Sequence, residues 1–291
     1  MRKWLIVNDK AGDGRRGMAF WLAHLERAGV HDLNEVGLGD DHWEDHLRAG
    51  DLVLVAGGDG SVNRIAGVCI EHHAILGVLP SGTANDFSRN LGLPTDPAAI
   101  CRVVATGRTA RADVGWVNDR LFLNVVHVGL GALPATDASA SQKKALGRFS
   151  YLTVLAQKAG LQRGFHASIG HDGECIEGQW LSIAIASGAF FGGGQRFPEV
   201  TLDDGRLDIV AVRPRPWPTL LLSYLCSRLT GRQPRKGDAV VHVATTRAEL
   251  RLRHARALTA DGEDMGRMDS VSVWTRPAAL EVISPGLVSN A

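Results

Sequence analysis

The chain has 291 residues, 45% hydrophobic and 22% charged, the composition of a soluble globular protein of about two domains, which excludes disorder as the main state. Its 32 Lys and Arg against 31 Asp and Glu leave a formal net charge of +1, so no global field favours a polyanion, and nucleic acid is not an expected partner. Cys69, Cys101, Cys175 and Cys226 lack paired spacing, Asn8-Asp9-Lys10 ends the first apolar run too early for a signal peptide, and no apolar stretch reaches the roughly 18 residues of a membrane span, so a reducing, cytoplasmic setting is expected.

The first third alternates apolar runs with helical periodicity, the pattern of parallel strands joined by crossover helices. Trp4 to Val7 reads as a strand. Met18, Trp21, Leu22 and Leu25 fall at i, i+3, i+4 and i+7 and predict a helix ending near Gly29. Leu52 to Ala56 is a second strand, followed by a glycine-rich turn and a helical run from Val62 to about Ile70. Ile75 to Leu79 is a third, stopped by Pro80. Pro94 and Pro97 bound a helix that runs to Thr106 and closes at Gly107. After about Asp113 the texture changes to strand-like runs at Leu121 to Val128, Trp180 to Ala186, Leu207 to Val212, Ala239 to Ala244 and Val271 to Trp274. This half is expected to be mainly antiparallel β, with helical insertions from Lys143 to Ala159 and from Pro218 to Thr230. The expected division is an α/β domain over 1–113, with 277–291 packing back on it, and a β domain over 114–276. The net charge then proves to be a cancellation: residues 1–113 hold 12 basic and 15 acidic side chains, the remainder 20 and 16.

Gly57-Gly58-Asp59-Gly60-Ser61-Val62-Asn63 stands between a strand and a helix. Glycines there let backbone approach a ligand, and the unpaired N–H groups of a helix start favour phosphate oxygens. Asp59 adds a carboxylate, which beside phosphates suits a Mg²⁺ ion or a hydroxyl that must lose its proton. The plainer alternative is a tight turn without a ligand. Pro80-Ser81-Gly82-Thr83-Ala84-Asn85-Asp86-Phe87 also follows a buried strand. Both loops would lie on one edge of an open sheet, where α/β proteins bind ligands, with Thr83 and Asn85 able to bond phosphate or nucleotide. Alternatively Asn85 and Asp86 only cap the next helix. Neither loop is a Walker A motif or a dinucleotide fingerprint.

Together these loops resemble the diacylglycerol kinase catalytic-domain family of bacterial lipid kinases and sphingosine kinases, related in fold to NAD kinases. Residues 57–60 match its Gly-Gly-Asp-Gly loop and 82–86 its Gly-Thr-x-Asn-Asp loop. The likeness continues through Asn8, Ala11 and Gly12, with Asp9 where the family usually has Pro. It extends through Leu123-Asn124 with Gly129-Leu130-Gly131, and through Gly192-Gly193-Gly194, Pro198 and Asp203-Asp204-Gly205-Arg206-Leu207-Asp208, to Asp261-Gly262-Glu263.

The resemblance implies a Rossmann-like α/β nucleotide domain, a C-terminal β-sandwich lipid domain and an active site in the cleft between them. It implies that Asn8, Gly57, Gly58, Asp59, Gly60, Ser61, Val62, Asn63, Thr83 and Asn85 bind ATP. Glu263 takes the place of a general base, with Asp261 beside it and Asp59 across the cleft. Asp204 matches a Mg²⁺ ligand completed by the carbonyls of Thr201 and Arg206. The implied reaction is transfer of the γ-phosphate of ATP to a hydroxyl of a diacylglycerol-like, glycerophospholipid or sphingoid lipid, placing the enzyme in phospholipid biosynthesis. Two positions depart from the family: Arg64 stands where Glu is usual, and Gly37 or Leu38 where relatives can offer a hydroxyl to the nucleotide. An NAD kinase-like enzyme and a non-catalytic nucleotide- or lipid-binding regulator are the alternatives.

Three weaker features remain. His42 and His46 are four apart, as metal ligands on a helix can be, or lie on a solvated acidic helix. Lys143 and Lys144 open the first insertion, within reach of a nucleotide or lipid head group, or simply solvated. From Arg213 to Lys236, arginines flank Trp217, Leu220 and Tyr224 without an acidic residue, which suits peripheral contact with an anionic membrane surface or a helix packed on the sandwich. A homodimer is a further candidate assembly.

Overall fold

A computed structural model describes residues 1–129, 164–191, 195–196, 201–214 and 240–287. The elements in chain order are β1 (Lys3–Val7), α1 (Met18–Arg27), β2 (Leu33–Gly37), β3 (Leu52–Gly57), α2 (Asp59–His72), β4 (Ile75–Pro80), α3 (Asp86–Asn90) and α4 (Pro97–Thr106). Then come β5 (Thr109–Val117), β6 (Arg120–Phe122), β7 (Val125–Gly129), β8 (Phe165–His171), β9 (Glu174–Trp180) and β10 (Ser182–Ala186). The last are β11 (Phe190–Phe191), β12 (Gln195–Arg196), β13 (Leu207–Val212), β14 (Val240–Thr245), β15 (Arg247–Ala260) and β16 (Glu263–Ile283). Contacts divide the chain into two compact units: Met1–Val125 with Ser187–Arg206 and Thr275–Ala291, and Val126–Ala186 with Leu207–Trp274.

The first unit is an α/β domain. Its parallel strands run in the order β2-β1-β3-β4, with Glu281 and Val282 of β16 parallel to β4. Strand alternation sorts the core. Trp4, Ile6, Val53, Val55, Leu76 and Val78 pack with α2 through Val62, Ile65 and Cys69. Leu5, Val7, Leu52, Leu54 and Leu79 pack with Trp21 and Leu25 of α1 and Ile100 and Val104 of α4. Helices on both faces of a parallel sheet bury both sides of β1, β3 and β4, which is why these runs are continuously apolar, whereas the edge strand β2 keeps Asn34 and Glu35 exposed. The chain leaves β1 for β2 on one side while β3 lies on the other, so the ends of β1 and β3 flank a topological switch point.

Local chemistry sets the helix ends. Asp96 accepts the N–H of Ala99 at 2.9 Å and Pro97 opens α4. Gly107, at φ 62°, ends it in the left-handed region. α2 begins at Asp59, three residues before the start expected at Val62, because Gly58 in extended backbone serves as its N-cap. The strand expected from Leu121 to Val128 is two strands. Between them the carbonyl of Asn124 accepts Ser187 N–H at 2.9 Å and its side chain accepts from Asn90 at 2.9 Å, which takes this stretch out of the ladder.

The second unit is a mostly antiparallel β-sandwich. Its ladder runs β14-β13-β10-β7-β15, with β16 and β8 on β15 and β9 on β8. β15 alternates exposed and buried from Arg247 to Leu252, with Ala248, Leu250 and Leu252 turned inward. The expected insertions at Lys143 to Ala159 and Pro218 to Thr230, and most of the basic segment from Arg213 to Lys236, lie outside the described residues. His42 and His46 do not share a helix face: only Glu44–His46 forms a 3₁₀ turn, His42 has φ 68°, and its Nδ1 is 3.4 Å from Asp45. No described helix is long and apolar enough to cross a membrane.

Candidate functional site

The loops that follow β1, β3 and β4 meet at the carboxyl edge of the α/β sheet. Asn8 starts the first. Its N–H donates to Ala56 O at 2.9 Å, its Nδ2 donates to Ser61 Oγ at 2.9 Å, and its Oδ1 accepts Lys10 N–H at 3.1 Å. One side chain thus ties the β1 loop to the first turn of α2. At Gly57 a Cβ would stand 2.5 Å from the Cβ of Ser61, so a glycine is required where the strand turns into the helix. At Gly82 a Cβ would stand 2.5 Å from the Cα of Gly58. The two glycine loops therefore touch through bare backbone.

Asn85, expected either to bind a ligand or to cap a helix, stands at the N-cap position of α3, where its carbonyl accepts Arg89 N–H at 3.3 Å while its side chain makes no cap bond. It adopts φ 51° and closes a ring on Gly82, accepting that residue's N–H at 2.9 Å and donating to its carbonyl at 2.7 Å. The ring shapes the turn that presents Thr83 to solvent. Asp59 lies in the first turn of α2, and its Oδ1 accepts Phe87 N–H at 3.1 Å, linking the β3 loop to α3. Gly60 is exposed, Ser61 and Val62 are buried, and Asn63 donates to Leu121 O at 3.2 Å. The α2 N–H groups ahead of Val62, whose own N–H bonds Gly58 O, make a favourable place for an anion. The two departures from the family pattern, Arg64 and the Gly37-Leu38 position, meet each other: Arg64 Nη1 donates to Leu38 O at 3.3 Å.

Beside these loops a cavity of about 520 Å³ is lined by Pro80 to Thr83 and Asn85, by Gly12 and Arg16 ahead of α1, by Arg89 of α3 and by Pro94 ahead of α4. Arg16 Nη1 donates to Pro80 O at 2.9 Å. Arg89 donates to Ala84 O and pairs with the buried Asp86 at 3.0 Å. Both arginines are thereby fixed at the rim, with the charge of Arg89 offset by Asp86 and a further carboxylate, Asp13, in the lining.

The remaining expected residues are carried by other elements. Asp261 and Glu263 belong to the second unit, on the turn between β15 and β16. Ala260 pairs with Glu263, and Asp261 and Gly262, at φ 48° and 86°, form the two-residue turn that an Asp-Gly pair favours. Glu263 is exposed. Thr201, Asp204 and Arg206 sit on a loop of the first unit, where Asp204 Oδ1 accepts Arg206 N–H at 2.9 Å. Asp113, read in the sequence only as a boundary, anchors that loop. It is 2% exposed, its carboxylate accepts from Gly205 and from Ala278 (2.7 Å), and its N–H donates to Leu202 O at 2.6 Å. A lone acid between apolar strand residues was the available signal. Among the described residues no three His, Cys, Asp or Glu side chains gather as a metal site. Asp204 with two backbone carbonyls would be an all-oxygen set, which fits a hard cation that retains waters.

Burial pushes the thiol of Cys69 up to about 12 and, with the charge of Asp96, that of Cys101 up to about 11, so neither is a nucleophile at neutral pH.

Residues 2–117 match the family model for the diacylglycerol kinase catalytic domain, and residues 124–284 match the YegS C-terminal NAD kinase beta sandwich-like domain. The probable lipid kinase YegS-like protein of Chromohalobacter salexigens is 34% identical over 72% of this chain and 69% of its own. The diacylglycerol kinase of Staphylococcus carnosus is 26% identical over 82% of this chain and 78% of its own. In fold, a crystal structure of a diacylglycerol kinase from Bacillus anthracis superposes with TM-score 0.74 at 21% identity, covering 99% of this chain and 98% of that one.

Proposed function

The chain belongs to the diacylglycerol kinase catalytic-domain family and is an enzyme of its lipid kinase type, and from that we propose that it transfers the γ-phosphate of ATP, with Mg²⁺, to a hydroxyl of a lipid. The observation that carries this reading is the contact of Gly58 with Gly82, which sets two N–H-bearing turns and Asp59 side by side at a switch point.

In this reading Gly57 to Asn63, Asn8, Thr83 and Asn85 form the nucleotide site. Loop backbone and the α2 N-terminus bind phosphate oxygens, Thr83 supplies a hydroxyl, and Asn8 and Asn85 hold the loops in shape. Asp204 with the carbonyls of Thr201 and Arg206 would hold Mg²⁺, which offsets phosphate charge when bound. Glu263, with Asp261 beside it, is the proposed base for the lipid hydroxyl. As that oxygen bonds to the γ-phosphorus, its proton passes to the carboxylate and the bond to the ADP oxygen breaks. Asp59 is the acidic group assigned to the phosphate side. The acceptor is a diacylglycerol-like, glycerophospholipid or sphingoid lipid, which gives the enzyme a place in phospholipid biosynthesis and peripheral contact with the cytoplasmic face of a membrane. Such an enzyme can work as a homodimer.

The test is incubation of the purified protein with labelled ATP, Mg²⁺ and total lipid extract, and identification of the labelled product. A phospholipid or lipid phosphate is expected. Label passing to NAD⁺ in a parallel reaction would move the assignment to an NAD kinase-like enzyme. ATP binding without turnover on any lipid would mark a regulator.

A further inference from the structure

Trp21 lies outside every motif that defines the family resemblance, yet it bonds the residue that carries the second glycine loop. It is completely buried, and its Nε1–H donates to Ser81 Oγ at 2.9 Å. Ser81 immediately precedes Gly82-Thr83 and is held on several sides. Its N–H donates to Gly57 O at 2.9 Å, and its hydroxyl has the carbonyls of Arg16 and Leu79 each at 3.3 Å. Its own carbonyl oxygen lies so near Gly12 that a side chain there would overlap it.

An indole on α1 thus fills the accepting side of a buried hydroxyl whose proton already has backbone partners. Gly82 rests against Gly58, so a displacement of Ser81 changes the gap between the two loops directly. We propose that Trp21 is a positioning residue: through Ser81 its indole N–H sets the spacing of the Gly57-Gly58 and Gly82-Thr83 turns, and with it the affinity for nucleotide phosphates. This rests on the nucleotide reading of those loops. A buried hydroxyl deprived of its donor partner shifts toward another, and a turn closed by hydrogen bonds moves with it.

The experiment is Trp21→Phe in the full chain. It keeps an aromatic ring in the contact with Phe20, whose ring centroid is 5.2 Å away, and removes the N–H. ADP affinity by calorimetry and KM for ATP are expected to weaken about three- to tenfold, while kcat and KM for lipid stay within about twofold. Ser81→Ala should have a similar effect, and the double variant should be no worse than the larger single one. Unchanged nucleotide affinity in Trp21→Phe would overturn the proposal. So would an equal loss in kcat, in lipid KM and in melting temperature, the mark of a merely structural residue. Should Trp21→Phe not fold, Ser81→Ala decides by the same readouts. If the wild type binds ADP and Trp21→Phe binds it equally, this inference alone fails; if the wild type binds neither ADP nor ATP, the nucleotide reading falls and takes this inference with it.

Discussion

A methyl group on Gly82 would stand 2.5 Å from the Cα of Gly58 and 2.9 Å from Asn85 Oδ1, so the β3 and β4 loops are packed at a separation that only hydrogen on Gly82 permits. Gly82→Ala must push the loops apart or break the Asn85 ring. Both neighbours are part of the loop framework, with little side-chain slack to absorb the change. The expected outcome is a loss of nucleotide affinity of about tenfold or more with a smaller effect on the melting temperature, since the loops lie at the edge of the sheet rather than in its core. Calorimetric titration with ADP and a thermal scan check the two halves of this prediction.

Asp59→Asn separates charge from shape. The amide oxygen can still accept Phe87 N–H, the 3.1 Å bond that joins the β3 loop to α3, so the fold is expected to survive. What disappears is the negative charge assigned to the phosphate side. Turnover should drop by about a hundredfold or more, with melting temperature nearly unchanged. Phosphate transfer to lipid, followed alongside circular dichroism, measures both, and a variant retaining full activity would remove Asp59 from the machinery.

Asp113→Asn should harm stability rather than chemistry alone. The buried carboxylate accepts two backbone N–H groups, one from Gly205 and one from Ala278. An amide can accept one and must aim its own N–H₂ at the other, leaving donors facing each other in the interior. The cost is expected to be about 2–4 kcal/mol, read as a lower urea midpoint. The loop of Thr201 to Arg206 should also become the first part of the first unit to exchange its amide hydrogens.

The elements most legible in the sequence are those whose causes are local. Asp96, Pro97 and Gly107 bracket α4 by cap chemistry alone, and the apolar runs of β1, β3 and β4 are buried on both faces. The glycine loops were visible for the same reason, although the first turn of α2 begins at Asp59 because an extended Gly58 can cap it. Asn85 was visible as a residue but not in its role: the ring on Gly82 requires φ 51°, which nothing in the spacing reveals. Asp113, Trp21 and Asn90 act through partners far along the chain, Asp113 on Ala278 and Asn90 on Phe190, so no window of sequence contains both halves of their bonds. β15 is a different case. The strict alternation from Arg247 to Leu252 is a local signal of a strand with one face in a core, and it was there to be read.

His127 predicts a pH dependence of folding. Burial in β7 pulls its imidazole from the usual 6.5 down to about 4, because a charged ring there would be removed from water. Its folded pKa therefore lies below its unfolded one. Above pH 6.5 the ring is neutral in both states and the protein keeps its full stability. As pH falls from 6.5 toward 4 the unfolded chain takes up a proton that the folded chain refuses, and unfolding becomes easier. Below about 4 both states are protonated and the loss from this residue stops growing. At about 1.4 kcal/mol per pH unit the burial accounts for a loss of about 3 kcal/mol across the window. Urea midpoints between pH 7.5 and 4 should fall more steeply for the wild type than for His127→Gln, which has no proton to gain. Parallel curves for the two proteins would show that His127 titrates normally.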